Sequence, residues 1–252
     1  MELNIHTINH FMISMIEFQR FDCKADVGFL IDGSGSITSP CCQHNWNLIK
    51  DLILVLAKDL NITEDGAHMA VGVFSTEATL DIKFSDFTDY QSFEEKVIKL
   101  NHPQDMTDHL KAFDLAFHRM FDESTGMRTD VPKTLIFLTD GKCRRPYGYG
   151  ECDINEFSRW GNLFRNRKIR LIGIGIGQYI NEREIKDFVG ESNYYRKQSF
   201  NQILTKRFRR SLLFCESKLN DSILLLEELL FYFMLSVPLT YSISVFNFQP
   251  VL

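Results

Sequence analysis

Asp26-Val-Gly-Phe-Leu-Ile31 runs directly into Asp32-Gly-Ser-Gly-Ser36, and the reading of this junction decides the fold. An uninterrupted apolar run of this length reads as a strand buried on both faces, and the glycines after it let the backbone turn sharply. Strands of that kind belong inside a parallel sheet covered by helices. The pattern recurs downstream, where Lys133 to Thr139 is apolar and ends at Asp140-Gly141. Two apolar strands thus run into acids.

The spacing around them predicts alternating strands and helices. Trp46, Ile49, Ile53, Leu56 and Leu60 lie on one face of a helix from about Asn45 to Leu60. Ala67 to Phe74 and Ala78 to Phe84 read as a hairpin joined by Ser75-Thr76-Glu77. Tyr90 to Leu100 is helical, Asn101 to Met106 is a loop, and a helix with Leu110, Phe113, Leu115, Phe117 and Met120 follows, with Thr107 or Asp108 as its cap. After the strand at 133 to 139 come a helix from about Asn155 to Arg167, a strand from Ile169 to Ile176 and a short helix from Asn181 to Val189. A small strand near Tyr194 to Arg196 and a last helix from Asn201 to Phe214 complete the order. The predicted class is α/β: a doubly wound, mostly parallel central sheet with one antiparallel edge strand and helices on both faces.

The chain has 252 residues, 44% of them hydrophobic, with 28 Lys and Arg against 33 Asp and Glu. That suffices for a full core, and the 22 Phe argue against disorder. A net charge of -5 lacks the long-range attraction for phosphate backbones, so no nucleic-acid partner is expected. The expected divisions are an N-terminal segment at 1–22, a domain at 23–216 and an apolar tail at 217–252. Residues 1 to 20 lack the basic region, apolar run and cleavage site of a signal peptide, and the chain reads as a piece of a longer polypeptide. The uninterrupted apolar part of the tail, Leu229 to Val237, falls short of the roughly 20 residues needed to span a bilayer, so no membrane anchor is expected.

Six cysteines, Cys23, Cys41, Cys42, Cys143, Cys152 and Cys215, carry no zinc spacing. Cys143 and Cys152 enclose a short loop, and Cys23 and Cys215 bracket most of the patterned sequence. The placement suggests two disulfides and an oxidising compartment, the alternative being reduced buried thiols in a cytosolic protein.

Ligands of doubly wound sheets bind at the carboxyl ends of the strands. There Asp32, Ser34 and Ser36 place three oxygen donors on one turn, which suits a hard divalent cation such as Mg²⁺. The alternative is that the serines merely cap a turn.

Asp32-Gly-Ser-Gly-Ser36, Thr107 and Thr139-Asp140-Gly141 together resemble the metal-ion-dependent adhesion site of von Willebrand factor type A domains, such as those of integrin alpha subunits, matrilins and type VI collagen. The resemblance covers about residues 24 to 214. It implies that Asp32, Ser34, Ser36, Thr107 and Asp140 hold Mg²⁺ (or Mn²⁺), and that an acidic residue of an extracellular matrix or cell-surface protein, collagen among the candidates, completes the site. It also implies an extracellular location, a Cys23–Cys215 tie between the domain ends, and a last helix that in integrin-like members moves with the metal. Cys41 and Cys42 have no precedent there, and are expected to be free or to pair outside the chain.

The family often has a second Thr where this chain has His109. A histidine beside the cation repels it when charged, and the alternative is a helix residue facing solvent. The loop from Lys142 to Cys152 lies beside the same face, and its Arg144, Arg145, Tyr147 and Tyr149 have the composition of a contact surface. His109 joins these four as an expected partner-contact residue. Gly173-Ile-Gly-Ile-Gly177 lies on a strand without the spacing of a dinucleotide site and reads as core packing. Ser34 has no nucleophile elbow, and it occupies the place of a phosphotransferase's second acid, so no enzyme is expected.

Overall fold

The structure, a computed structural model, describes residues 24–38, 42–145 and 150–212. All of these lie in one compact unit, Met1–Leu213. The expected terminal segments, Cys23, Cys41, Cys215, Tyr147 and Tyr149 lie outside the described residues.

The chain order is β1 (Asp26–Asp32), α1 (Asn45–Leu60), β2 (His68–Phe74), β3 (Ala78–Ile82), α2 (Tyr90–Ile98), α3 (His109–Leu115), β4 (Lys133–Thr139), α4 (Ile154–Asn166), β5 (Ile169–Ile176), α5 (Glu182–Val189), β6 (Tyr194–Lys197) and α6 (Lys206–Leu212). The strands form one sheet in the order β3-β2-β1-β4-β5-β6. Every pairing is parallel except β2 with β3, which is antiparallel at one edge. β1 is buried at every residue, as its unbroken apolar run requires. No helix of the described residues is long and apolar enough to cross a membrane.

Aromatic packing fixes much of the core on one face. Phe113 stacks on Phe188 at 3.8 Å between ring centres, and Phe137, Phe157 and Phe164 meet this pair edge-on. The glycines of β5 serve this packing. A Cβ on Gly173 would lie 2.4 Å from Ile185 Cγ2, and one on Gly175 would lie 2.5 Å from Ile180 Cδ1, so α5 sits on the strand only because both side chains are absent.

Two helices differ from the expected pattern. The helix after Asp108 passes into a π turn at Ala116–Met120. Phe121 N–H donates to Ala116 C=O, while the Arg167 guanidinium takes the Phe117 carbonyl at 2.7 Å and lies over the Phe117 ring. The last helix is broken: a 3₁₀ segment, Phe200–Leu204, precedes α6, with Thr205 extended between them. Thr205 uses its hydroxyl to bond the Gln202 carbonyl, a local alternative to a continuous helix.

Candidate metal centre

From β1 the chain builds β2 and β3 on one side of the sheet and then crosses to β4, β5 and β6 on the other. The switch point therefore lies between β1 and β4, where doubly wound sheets open a crevice at the carboxyl ends of the strands. Asp32 ends β1 and Asp140 directly follows β4.

Asp32 is 0% exposed and both its oxygens are engaged. Ser34 N–H donates to Oδ1 at 2.8 Å and Thr139 Oγ1 donates to Oδ2 at 2.6 Å. Ser34 and Ser36 hydroxyls lie 3.0 Å apart, and Ser36 Oγ donates to Asp140 Oδ1 at 2.6 Å. Thr107 joins from the far side: a methyl group on Gly141 would lie 3.6 Å from Thr107 Oγ1 and 3.8 Å from Ser36 Oγ, so these hydroxyls converge on one space. Thr107 is free to do so because Asp108, and not Thr107, caps α3, accepting from Leu110 and Lys111 N–H.

The loop before Thr107 is stitched to the turn after β1. Gln104 N–H donates to Gly33 C=O at 2.8 Å and Gly35 N–H donates to Asp105 C=O at 3.0 Å. Gly33 permits the approach, since a Cβ there would lie 2.7 Å from Pro103 Cδ. His102, in the loop between α2 and α3, stacks on Trp46 and places Nε2 3.1 Å from Ser34 C=O. A carbonyl can only accept, so Nε2 carries the hydrogen. Burial lowers the His102 pKa from its usual value, against the opposing pull of the Ser34 bond and the Asp32 charge.

The electrostatics favour a cation. Burial, and then the Asp32 charge, push the Asp140 carboxyl up to about 7, with the Ser36 bond opposing. The charge acting on it is that of another carboxylate, Asp32. The donor set is all oxygen, with two acids and neutral hydroxyls, and it fits Mg²⁺ or Mn²⁺ chemically. A different group, Asp108 with Cys143 and Cys152, brings candidate ligand atoms within 4.8 Å of one another. Both sulfurs are bonded to each other and Asp108 is a helix cap, so that group is no ligand set.

The expected contact loop lies beside this edge. Cys143 and Cys152 form a disulfide, Arg144 pairs with Glu151 in an antiparallel bridge, and Lys142 forms an ion pair with Glu151. Arg144 is exposed, and its N–H donates to Thr107 C=O at 2.7 Å, tying the loop to the residue before the α3 cap. Arg145 is half-buried, with its N–H on Gly150 C=O. His109 is a correction: it is neither a contact residue nor solvent-facing but 0% exposed, because its ring fills a space among Phe74, Phe137 and Phe157. Cys42 also departs from the expectation of a free thiol, being disulfide-bonded.

Fold and site together define a doubly wound α/β domain with an oxygen-donor cradle at its switch point. The chain belongs to the von Willebrand factor type A domain family, whose model matches residues 26–209. It is 29% identical to cochlin of Cavia porcellus over 120 residues, 48% of this chain and 21% of that protein. It is 23% identical to the human collagen alpha-5(VI) chain over 201 residues, 79% of this chain and 7% of that one. The chain thus spans only a small part of the length of these relatives. Among solved structures, proximal thread matrix protein 1 from the mussel byssus, with zinc occupying its MIDAS motif, superposes with a TM-score of 0.65 at 20% identity, over 77% of this chain and 46% of that one.

Proposed function

We propose that this chain is a metal-ion-dependent protein-binding module. In this reading Asp32, Ser34, Ser36, Thr107 and Asp140 hold Mg²⁺ (or Mn²⁺), and an acidic side chain of an extracellular matrix or cell-surface protein completes the site. The observation that carries it is the meeting of two carboxylates with the Ser36 hydroxyl at a buried strand edge, where the Asp32 charge raises the Asp140 pKa. The zinc in the mussel protein's motif and the collagen among the relatives lend support.

A divalent cation held largely by neutral hydroxyls supplies an electrophilic position that a partner carboxylate can fill with a charge-assisted contact. The chain's own residues do the rest. Thr139 and the Ser34 backbone fix Asp32, Ser36 orients Asp140, and the bond from Arg144 N–H to Thr107 C=O sets the contact loop at the rim. Arg144 and Arg145, with Tyr147 and Tyr149, then select the partner, and collagen is one candidate. The domain is extracellular and non-catalytic in this account, and nucleic acid is not a partner.

The test is capture of the chain on immobilised matrix proteins, collagens included, in Mg²⁺, in Mn²⁺ and in EDTA, with Asp140→Ala alongside. Binding that needs the cation and Asp140 supports the proposal. Binding that ignores both makes this a structural matrix module recognised on another face, and metal-dependent turnover of a generic phosphoester makes it a hydrolase.

A further inference from the structure

Ser34 is the middle donor of the turn after β1 and is 2% exposed. Its backbone is pinned on both sides. The N–H donates to Asp32 Oδ1 at 2.8 Å, and the C=O accepts twice, from Ile37 N–H at 3.3 Å and from His102 Nε2–H at 3.1 Å. Nε2 carries a hydrogen in the neutral tautomer that this bond selects and in the charged ring alike, so the contact does not depend on titration. The hydroxyl is placed differently: Oγ lies 3.0 Å from Ser36 Oγ and keeps lone-pair capacity for a cation.

The His102 ring is aimed by its own neighbours. It stacks on Trp46 of α1 with ring centres 4.7 Å apart and planes 19° from parallel, and Trp46, itself buried, donates Nε1–H to Leu100 C=O at 3.4 Å. Pro103 follows and biases the His102 backbone to extended conformations. Gln104 is then held at φ 63°, a left-handed conformation that is disfavoured outside glycine. Strain of this kind persists where the surroundings impose it. Here Gln104 N–H is bonded to Gly33 C=O, and Asp105 C=O accepts Gly35 N–H. The loop thus grips residues 33, 34 and 35 in succession, and His102 supplies the side-chain contact to the middle one.

We propose that His102 is a positioning residue for the metal centre: stacked on Trp46, it holds the Ser34 carbonyl and thereby sets the Ser34 and Ser36 hydroxyls where the ion needs them. The proposal rests on the metal reading of the site. Partners that orient metal-bound groups from one step back change affinity by about 10–100-fold when removed. His102 reaches the backbone of a ligand residue and not the ligand atom, so the expected loss is at the low end, about 10-fold.

The experiment is calorimetric titration of Mn²⁺ into the full chain at fixed pH, with a metal-free melt of each variant as a check of folding. His102→Phe keeps a ring on Trp46 and removes the donor, whereas His102→Gln gives up the ring and keeps an N–H. We expect His102→Phe to weaken Mn²⁺ by about 10-fold and His102→Gln to recover part of that loss. Trp46→Leu should weaken Mn²⁺ in the wild-type background and add nothing in His102→Phe, since the stack matters only through the donor that it aims. If His102→Phe does not fold, His102→Leu removes the donor without requiring a stacked ring and is read in its place. Wild-type affinity in the variant that lacks the donor, or a His102→Gln variant just as weak, would overturn the positioning role and leave the metal reading intact. The same loss from Trp46→Leu in both backgrounds would overturn the part assigned to Trp46. A wild-type chain that takes up no Mn²⁺ would remove the metal reading, and this inference with it.

Discussion

β1 carries a buried aspartate at each end, and the protein treats them differently. Asp26, at the start, is 0% exposed and is met by Arg128, which donates from its backbone N–H at 2.6 Å and from Nε at 2.9 Å. The same guanidinium also reaches the Ala25 and Gly66 carbonyls, closing that edge of the sheet. Asp32, at the other end and equally buried, is held by an amide and a hydroxyl and adds its charge to the burden on Asp140. A buried carboxylate needs compensation. At the amino edge an arginine supplies it; at the carboxyl edge the proposed cation would.

The largest expected effect breaks the paired end. Arg128→Ala strands Asp26 in the core and should cost about 3–5 kcal/mol in denaturant unfolding, irrespective of added metal. A loss under 1 kcal/mol would mean that water or rearrangement already serves Asp26.

Next in size is the unpaired end. Mg²⁺ or Mn²⁺ at a hundred times its dissociation constant should stabilise the wild type by about 2.7 kcal/mol, and Asp32→Ala should abolish the gain. Arg128→Ala, though weaker overall, should keep the full metal increment if the two ends are independent.

The smallest effect sharpens the contrast through pH. Asp140 titrates near 7 in the folded protein against 3.8 when unfolded, so protonation favours the fold. That contribution is fully present below the unfolded value and is lost as pH rises through about 7. The metal-free protein should therefore lose stability over this window, Asp140→Asn should lose less, and the metal-induced rise in melting temperature should grow, since the ion needs the carboxylate ionised. Melts from pH 5 to 8 with and without Mg²⁺ check all of this, and parallel wild-type and Asp140→Asn curves would contradict it.

Much of this was legible in the sequence because it is local. An apolar run ending in an acid, with hydroxyls two and four residues on, announces both a strand and its site, and Asp140 repeats the cue at the end of β4. Thr107 is reached only through resemblance, since nothing in Met106-Thr107-Asp108 says which side chain caps α3 and which turns toward Gly141. The remaining residues pair across long separations. Arg128 finds Asp26 and Glu184 finds Cys143 only once the sheet has brought their elements together. His109 follows a cap residue and so looked like a first-turn surface position, but α3 packs that turn onto the aromatic cluster and buries it. The break at Thr205 was hidden because the apolar spacing of Phe200, Ile203 and Phe208 suits a continuous helix as well as two short ones.

The most direct test of the central claim is Mn²⁺ electron paramagnetic resonance on the full chain, which counts bound ion by the loss of the free-ion signal. The account predicts one saturable Mn²⁺ per chain, displaced by Mg²⁺ and absent in Asp32→Ala and Asp140→Ala. Binding that is unchanged in both variants, or no binding by the wild type, would contradict it.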